Sequence, residues 1–349
     1  MLVSPNFRLL SADAGNRVLK EPLYRSARSV PSLDLNFAKS KNLTDAISNQ
    51  NLITFTRTQA TSTGSTYVAS DGLIKTAAAN EPRFDHNPTT GESLGLLVEE
   101  ARTNLLLNSA TLSTQSATVT AVSTTLSFYG TGTITLTGVS TAGPLAGTGA
   151  NNRVSLTFTP TAGSLTLTVS GSVTNAQLEA GAFATSYIPT TSATVTRSAD
   201  VATITGASFS GWYRQDEGTV YHQGSTPVTG NFFSIDDGTV NNRITSYMPS
   251  STTPFFYVAT AGSLAANITS SAITVRSLFA QAGAYKAADF AISTNGGTVS
   301  TASSGAVPVV NRMIIGANTA GSAAVNGAIK RITYWGQRLP NNVLQAITL

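Results

Sequence analysis

Cysteine is absent from the chain, which removes disulfide scaffolds, Cys-ligated zinc and thiol nucleophiles together. Charge is scarce: 11% of residues are Asp, Glu, Lys or Arg, and between Thr103 and Leu178 only Arg153 is charged. Histidine occurs twice, as His86 and His222; two imidazoles do not make a metal set, and no Gly-x-Ser-x-Gly elbow surrounds a serine for either to activate. No apolar run approaches the roughly 20 residues a membrane-spanning helix needs. Met1-Leu2-Val3 runs into Ser4, Pro5 and Asn6 without a basic and then apolar region, so the reading expects no secretory signal and folding in a cytoplasm. It expects no enzyme, cofactor, bound metal, nucleic-acid partner or membrane partner.

What charge there is gathers at the front. The formal net charge of +4 is small for 349 residues, too small to argue for nucleic acid. Arg8, Arg17, Lys20, Arg25 and Arg28 face only Asp13 and Glu21 before Asp34. With Pro5, Pro22 and Pro31 and no sustained periodicity, residues 1–33 read as an extended arm that docks on an acidic surface.

The rest is β-patterned. Residues 34–109 hold short strand signals such as Leu33–Ala38, Leu52–Arg57 and Thr66–Val68, with a Ser70-Asp71-Gly72 turn; such a loop-rich unit calls for a neighbour to complete its core. Residues 110–190 alternate apolar residues with Thr and Ser, as in Ser164-Leu165-Thr166-Leu167-Thr168-Val169, the mark of half-buried strands in a small sandwich. Thr185–Thr191 and residues 191–199 read as linker, because Pro189 holds Ile188 extended. Residues 200–349 are a further run of strands, and Pro340 through Ile347 has the start signal and spacing of one short helix. Many strands with one terminal helix fit a jelly roll, so the fold class is all-β: arm, small β-sandwich, jelly roll.

The densest apolar run is Gly95-Leu96-Leu97-Val98-Glu99-Glu100-Ala101-Arg102-Thr103-Asn104-Leu105-Leu106-Leu107-Asn108-Ser109. It reads as a strand buried on both faces that hands over to the sandwich and meets another subunit, with Glu99 or Glu100 pairing with Arg102 across that contact and Leu106 buried in it. Adjacent carboxylates on a strand point to opposite faces, so Glu99 and Glu100 do not form a hydrolytic pair. Asp236-Asp237-Gly238 is a hairpin turn signal before it is a calcium loop, because the spaced acidic ligands of a dedicated calcium site are missing. The candidate sugar-stacking rings are Trp212, Tyr213, Tyr221, Tyr257, Tyr334 and Trp335, with Trp212, Tyr213 and Tyr221 beside Asp236 and Asp237 forming the favoured glycan set.

Gly95–Ser109, preceded by Pro82-Arg83-Phe84-Asp85-His86, resembles a segment of bacteriophage head spike fibre, capsid decoration and tail fibre proteins. Gln177-Leu178-Glu179-Ala180-Gly181, Thr185-Ser186-Tyr187-Ile188-Pro189-Thr190 and Thr196-Arg197-Ser198-Ala199-Asp200 resemble the closing signature of the sandwich in those proteins. Gly327–Trp335 with Arg338-Leu339-Pro340 resembles the last strand and helix of a concanavalin A-like (LamG-like) jelly roll. The resemblance implies a structural virion protein: a capsid fibre or decoration appendage anchored by its N-terminal region. Such a protein is assembled in the bacterial host cytoplasm as a homotrimer, contacts other virion proteins and displays domains toward host surface polysaccharide. The alternative it admits is a receptor-binding tail or neck fibre that recognises a host polysaccharide.

Overall fold

Alternating strands can bury their apolar face only against a second sheet, and here two pairs of sheets do so. The computed structural model describes residues 21–58, 65–227, 229–249 and 252–349; Arg8, Arg17 and Lys20 lie outside them, while Arg25 and Arg28 are exposed. The chain is all-β, with antiparallel pairing throughout its named strands.

The larger pair of sheets is the jelly roll. One sheet has eight strands and includes Ser300–Ala302, Asp289–Thr294, Phe279–Lys286, Glu217–Gly224, Gly327–Trp335, Ser93–Val98 and Arg83–His86 in that order, with Leu33–Leu35 also pairing on Gly327–Trp335. The other has seven, from Thr54–Thr56 through Val201–Thr205, Arg312–Ile315, Gly230–Asp236, Arg243–Met248 and Phe255–Thr260 to Ser263–Thr269. Residues 33–98 therefore supply strands to both sheets. Leu33, Leu35, Phe37, Phe55, Leu96 and Val98 share one core with Phe232, Ile244, Phe256, Ile292, Ile315 and Ile332.

The expected division at residue 109 is thus corrected: the neighbour that completes the N-terminal unit is the C-terminal half of the same chain. The run at Gly95–Ser109 is also not one strand. Ser93–Val98 lies within the eight-stranded sheet, with Leu96–Val98 paired to Gly327–Ile329, and the chain then leaves the sheet at Glu99. Gly95 opens the run because its φ is +99° and a Cβ there would lie 2.1 Å from the Ile329 carbonyl oxygen.

The small sandwich is an insertion into this jelly roll. One sheet holds Leu145–Ala146, Thr133–Gly138, Gly163–Ser170 and Gln115–Val119; the other holds Gly149–Phe158, Thr124–Gly130 and Val173–Ala180. Its core is separate and includes Leu106, Leu126, Phe128, Ile134, Leu165, Leu167 and Leu178. Leu106 therefore serves this core within one chain, not the expected subunit contact. Leu106→Asp is expected to unfold the insertion, at a cost above the roughly 3 kcal/mol typical of emptying a buried leucine site. Hydrogen exchange checks this: amides of 115–180 should lose protection in the variant.

Entry to and exit from the insertion run side by side, Arg102–Asn104 pairing with Val195–Arg197. The expected linker at 185–199 is therefore ordered structure: Tyr187 and Ile188 are buried, and Ile188 N donates to Gln177 Oε1 at 2.6 Å.

Two short helices, Pro22–Ala27 and Asn341–Ile347, cover the outer face of the eight-stranded sheet. Small residues there, Ala280, Ala282, Ala284 and Ala291, let Tyr24, Leu344 and Ile347 close down on it. The helix foreseen at the C-terminus forms with Pro340 as its N-cap.

Candidate functional site

The sequence motifs converge on the joint between insertion and jelly roll. Arg57, Arg83, Arg197, Glu99 and Asp200 are all buried there. Asp200 accepts from Arg57 Nη1 at 3.0 Å, from Arg83 Nη2 at 2.5 Å and from the Glu99 backbone N–H at 2.9 Å. Glu99 Oε2 pairs with Arg83 Nη1 at 2.8 Å and Arg197 Nη1 at 3.1 Å, and both its oxygens accept from Ser186, at 2.7 Å from the N–H and 2.6 Å from the hydroxyl. Beside them Glu179 accepts from Gln177 and from the N–H and hydroxyl of Thr185. Asn104 bonds across to Ala176 and Ile188.

Charge buried this deeply persists only when paired and hydrogen-bonded on all sides. Burial alone would push the Glu99 carboxyl up; the guanidinium groups of Arg197 and Arg83 overcome it and hold the group at about 2. A carboxylate at that value has no proton to give at neutral pH. The Glu99–Arg102 pairing considered from the sequence does not form. Glu100 does pair with Arg102, Oε1 to Nε at 2.7 Å, within the chain, so the contact expected across a subunit boundary is an intrachain one.

The rings and acids proposed for glycan sit mostly elsewhere than expected. Trp212, Tyr221, Tyr334 and Trp335 are buried. Tyr213 stacks on Phe209 and Tyr334 at 4.6 and 5.4 Å, and its hydroxyl is buried. Asp236 is buried, accepting from Arg312 Nε at 2.6 Å, Gly238 N at 2.9 Å and Ser234 Oγ at 2.6 Å. Asp237 caps its turn through Thr239 and Asn242. These acids serve the hairpin, and among the described residues no group of three or more His, Asp or Glu is placed to hold a metal ion.

Tyr257 is different. Along Phe255–Thr260 the inward side chains are Phe256 and Val258, which join the core, so Phe255 and Tyr257 point outward. Along Arg243–Met248 the inward set is Ile244, Ser246 and Met248, leaving Arg243, Thr245 and Tyr247 outward. The register places Tyr247 opposite Phe255 and Thr245 opposite Tyr257. On this face Tyr247 lies 5.3 Å from Phe255 and 6.3 Å from Tyr257, ring centre to ring centre. The Arg243 guanidinium sits 4.7 Å over the Tyr257 ring. A depression of about 270 Å³ opens beside them, walled by Asn231 and by the Asn318–Ala320 loop. Half-buried rings, a guanidinium and amide side chains around a shallow depression suit the apolar face and hydroxyl edge of a sugar. Tyr247 and Arg243 were missed in the sequence, although Thr245 and Tyr247 alternate with the core residues Ile244 and Met248.

No family model matches the chain, and no curated protein matches it. Solved structures do. Ruminococcus gnavus IT-sialidase CBM40 bound to alpha2,3 sialyllactose matches at 17% identity over 39% of this chain and 84% of that one, with a TM-score of 0.34. The native heptameric SAP-like pentraxin from Limulus polyphemus matches at 16% over 37% and 68%, with a TM-score of 0.29. Trypanosoma rangeli sialidase in complex with the inhibitor DANA matches at 9% over 42% and 25%, with a TM-score of 0.31. Likenesses this loose transfer no site and no activity to the chain.

Proposed function

We propose that this chain is a non-catalytic, glycan-binding component of a bacteriophage virion, a head fibre or decoration protein that presents its jelly roll to host surface polysaccharide. One observation carries the glycan reading: Tyr247, Phe255 and Tyr257 stand with Arg243 on the seven-stranded sheet's outer face, opposite a sheet whose own outer face is closed by helices. The virion reading is supported by the sequence resemblance alone. Its motif residues Arg83, Glu99, Glu179, Ser186, Arg197 and Asp200 act here as the joint that sets one β-unit on another, a structural task. A homotrimer belongs to the same reading and is checked by sedimentation of the intact chain. Repeated weak sugar contacts would gain strength from several copies on one particle.

A glycan array of host surface polysaccharides, probed with the intact chain, tests the binding half. Binding is expected, and the Tyr247→Ala/Tyr257→Ala pair should weaken it at least tenfold, about 1.4 kcal/mol, while the chain still unfolds in a cooperative transition. Equal binding by the double variant would remove the face from the reading. Anchoring is tested by imaging particles whose copies lack residues 1–20. A deletion to residue 33 would also strip Tyr24 and Leu33 from their cores, so it would confuse anchoring with folding. Full occupancy by the shortened chain would place the anchor outside residues 1–20.

A further inference from the structure

A second cleft, of about 310 Å³, lies between the insertion and the jelly roll, away from the aromatic face. Its working groups come from three separate parts of the chain: Asp85 and His86 from the edge strand Arg83–His86, Tyr129 and Arg153 from the inserted sandwich, and Arg276 from the C-terminal half. We propose that this cleft is a binding site for a polyhydroxylated ligand, a single sugar residue, independent of the aromatic face.

The polar groups here are held ready yet only partly engaged. His86 is buried and its Nδ1 lies 3.0 Å from the Val68 carbonyl oxygen. A carbonyl only accepts, so Nδ1 carries the proton and, in the neutral ring, Nε2 is an acceptor. That Nε2 is buried and has no hydrogen-bond partner among the described residues. Asp85 spends one oxygen on the Val68 N–H at 2.7 Å. Opposite them, Arg153 donates to the Thr185 carbonyl at 2.5 Å and Ser127 Oγ at 2.8 Å, and its buried Nε has no partner among the described residues. The Arg153 guanidinium lies 6.0 Å from the centre of the Tyr129 ring, and it has no carboxylate partner among the described ion pairs. Buried polar groups without partners are rare in folded proteins and call for an explanation.

Both sides also depart from regular β-structure at these residues. The pairing of Arg83–His86 shifts register between Asp85 and His86. The pairing of Gly149–Phe158 is irregular between Gly149 and Val154, where Arg153 sits. Such bulges re-aim side chains and are concentrated beside binding sites. The lining thus joins a wall carrying the acceptors of Asp85 and His86 to a wall from the insertion carrying Tyr129 and Arg153, with Arg276 adding a second guanidinium and Val68 and Leu97 apolar surface. A hydroxyl both donates and accepts, so a sugar ring complements both walls at once, whereas a simple anion would meet Asp85 and a simple cation would meet Arg153.

The two histidines make the test direct, because His86 and His222 give separate imidazole signals. The intact chain, with 13C-labelled histidine, is titrated with D-glucose, D-galactose and N-acetyl-D-glucosamine in turn. At least one sugar should displace the His86 Cε1–H signal saturably while His222, fully buried, stays fixed. Tyr129→Phe and Arg153→Met should each weaken that saturation at least threefold, and Tyr257→Ala should leave it unchanged. Tyr129→Phe removes only a hydroxyl, so it remains informative should Arg153→Met fail to fold. An unmoved His86 signal with all three sugars overturns the proposal, as does a displacement that Tyr129→Phe leaves intact or Tyr257→Ala abolishes.

Discussion

Asp200→Ala should cost the fold about 3–5 kcal/mol, the usual price of leaving buried charge uncompensated. The single carboxylate of Asp200 serves Arg57, Arg83 and the Glu99 N–H. Its loss leaves Arg83 and Arg197 to share Glu99, while Arg57 keeps its bonds to the Ala78 and Glu81 carbonyls and the more distant Glu81 carboxylate. Burial already depresses Arg57 and Arg197, with Asp200 among the groups opposing that depression. Denaturant unfolding at neutral pH measures the effect, and a loss below about 1 kcal/mol would mean that the joint is not held by this network. Asp200→Asn keeps the shape and removes the charge, so it should fall between wild type and alanine.

The second large effect is acid sensitivity from His222. Its Nε2 lies 2.7 Å from Ser246 Oγ and 3.0 Å from Gln281 Oε1. Its ring stacks on Phe232 at 4.3 Å, and Nδ1 is buried with no hydrogen-bond partner among the described residues. Burial depresses the imidazole to about 4 from its usual 6.5, against the opposing bond to Gln281. Between those values the unfolded chain binds the extra proton and the folded chain does not. Stability from this group is therefore full above pH 6.5 and is lost as pH falls to about 4, by roughly 3 kcal/mol.

Asp85 acts in the opposite sense. Burial raises it to about 6, so its ionisation costs stability as pH rises from 3.8 through 6, and acidification relieves that cost. Glu99, held at about 2, adds a loss only as pH falls from 4.5 through 2. The His222 contribution is therefore read as a difference. Wild type minus His222→Gln should be flat above pH 6.5 and shift by roughly 3 kcal/mol in favour of the variant by pH 4. A difference that stays flat through this window would show that His222 does not titrate as its burial requires.

Local periodicity made much of the fold legible and little of its wiring. Leu165 and Leu167 alternate with threonines and do sit in a sheet facing a core. Pro340 does start a helix. But Leu33–Leu35 pairs with Ile332–Tyr334 from the far end of the chain, and no period-2 pattern names a partner so distant. The apolar run at Gly95 was given another subunit as its partner for that reason: the partner it has, Gly327–Ile329, is itself an ordinary apolar strand.

The candidate site divides the same way. Trp212 and Tyr221 carry the chemistry of a sugar platform but face the cores. Tyr257 was legible as a candidate ring, yet its outward position depends on which neighbours of the strand meet the opposite sheet. Arg83, Glu99, Arg197 and Asp200 stood out as motif residues. Their shared burial was hidden, because the chain between Glu99 and Arg197 leaves to build a whole sandwich before returning.

The central claim is that residues before and after the insertion form one jelly roll, closed by the buried ion network. It is tested most directly by producing residues 200–349 alone and recording their thermal unfolding and near-ultraviolet circular dichroism. Without Leu33–Leu35, Thr54–Thr56, Arg83–His86 and Ser93–Val98, and without Asp200's partners Arg57 and Arg83, this fragment should show no cooperative transition. A fragment that unfolds cooperatively, with the aromatic dichroism of the intact chain, would contradict it.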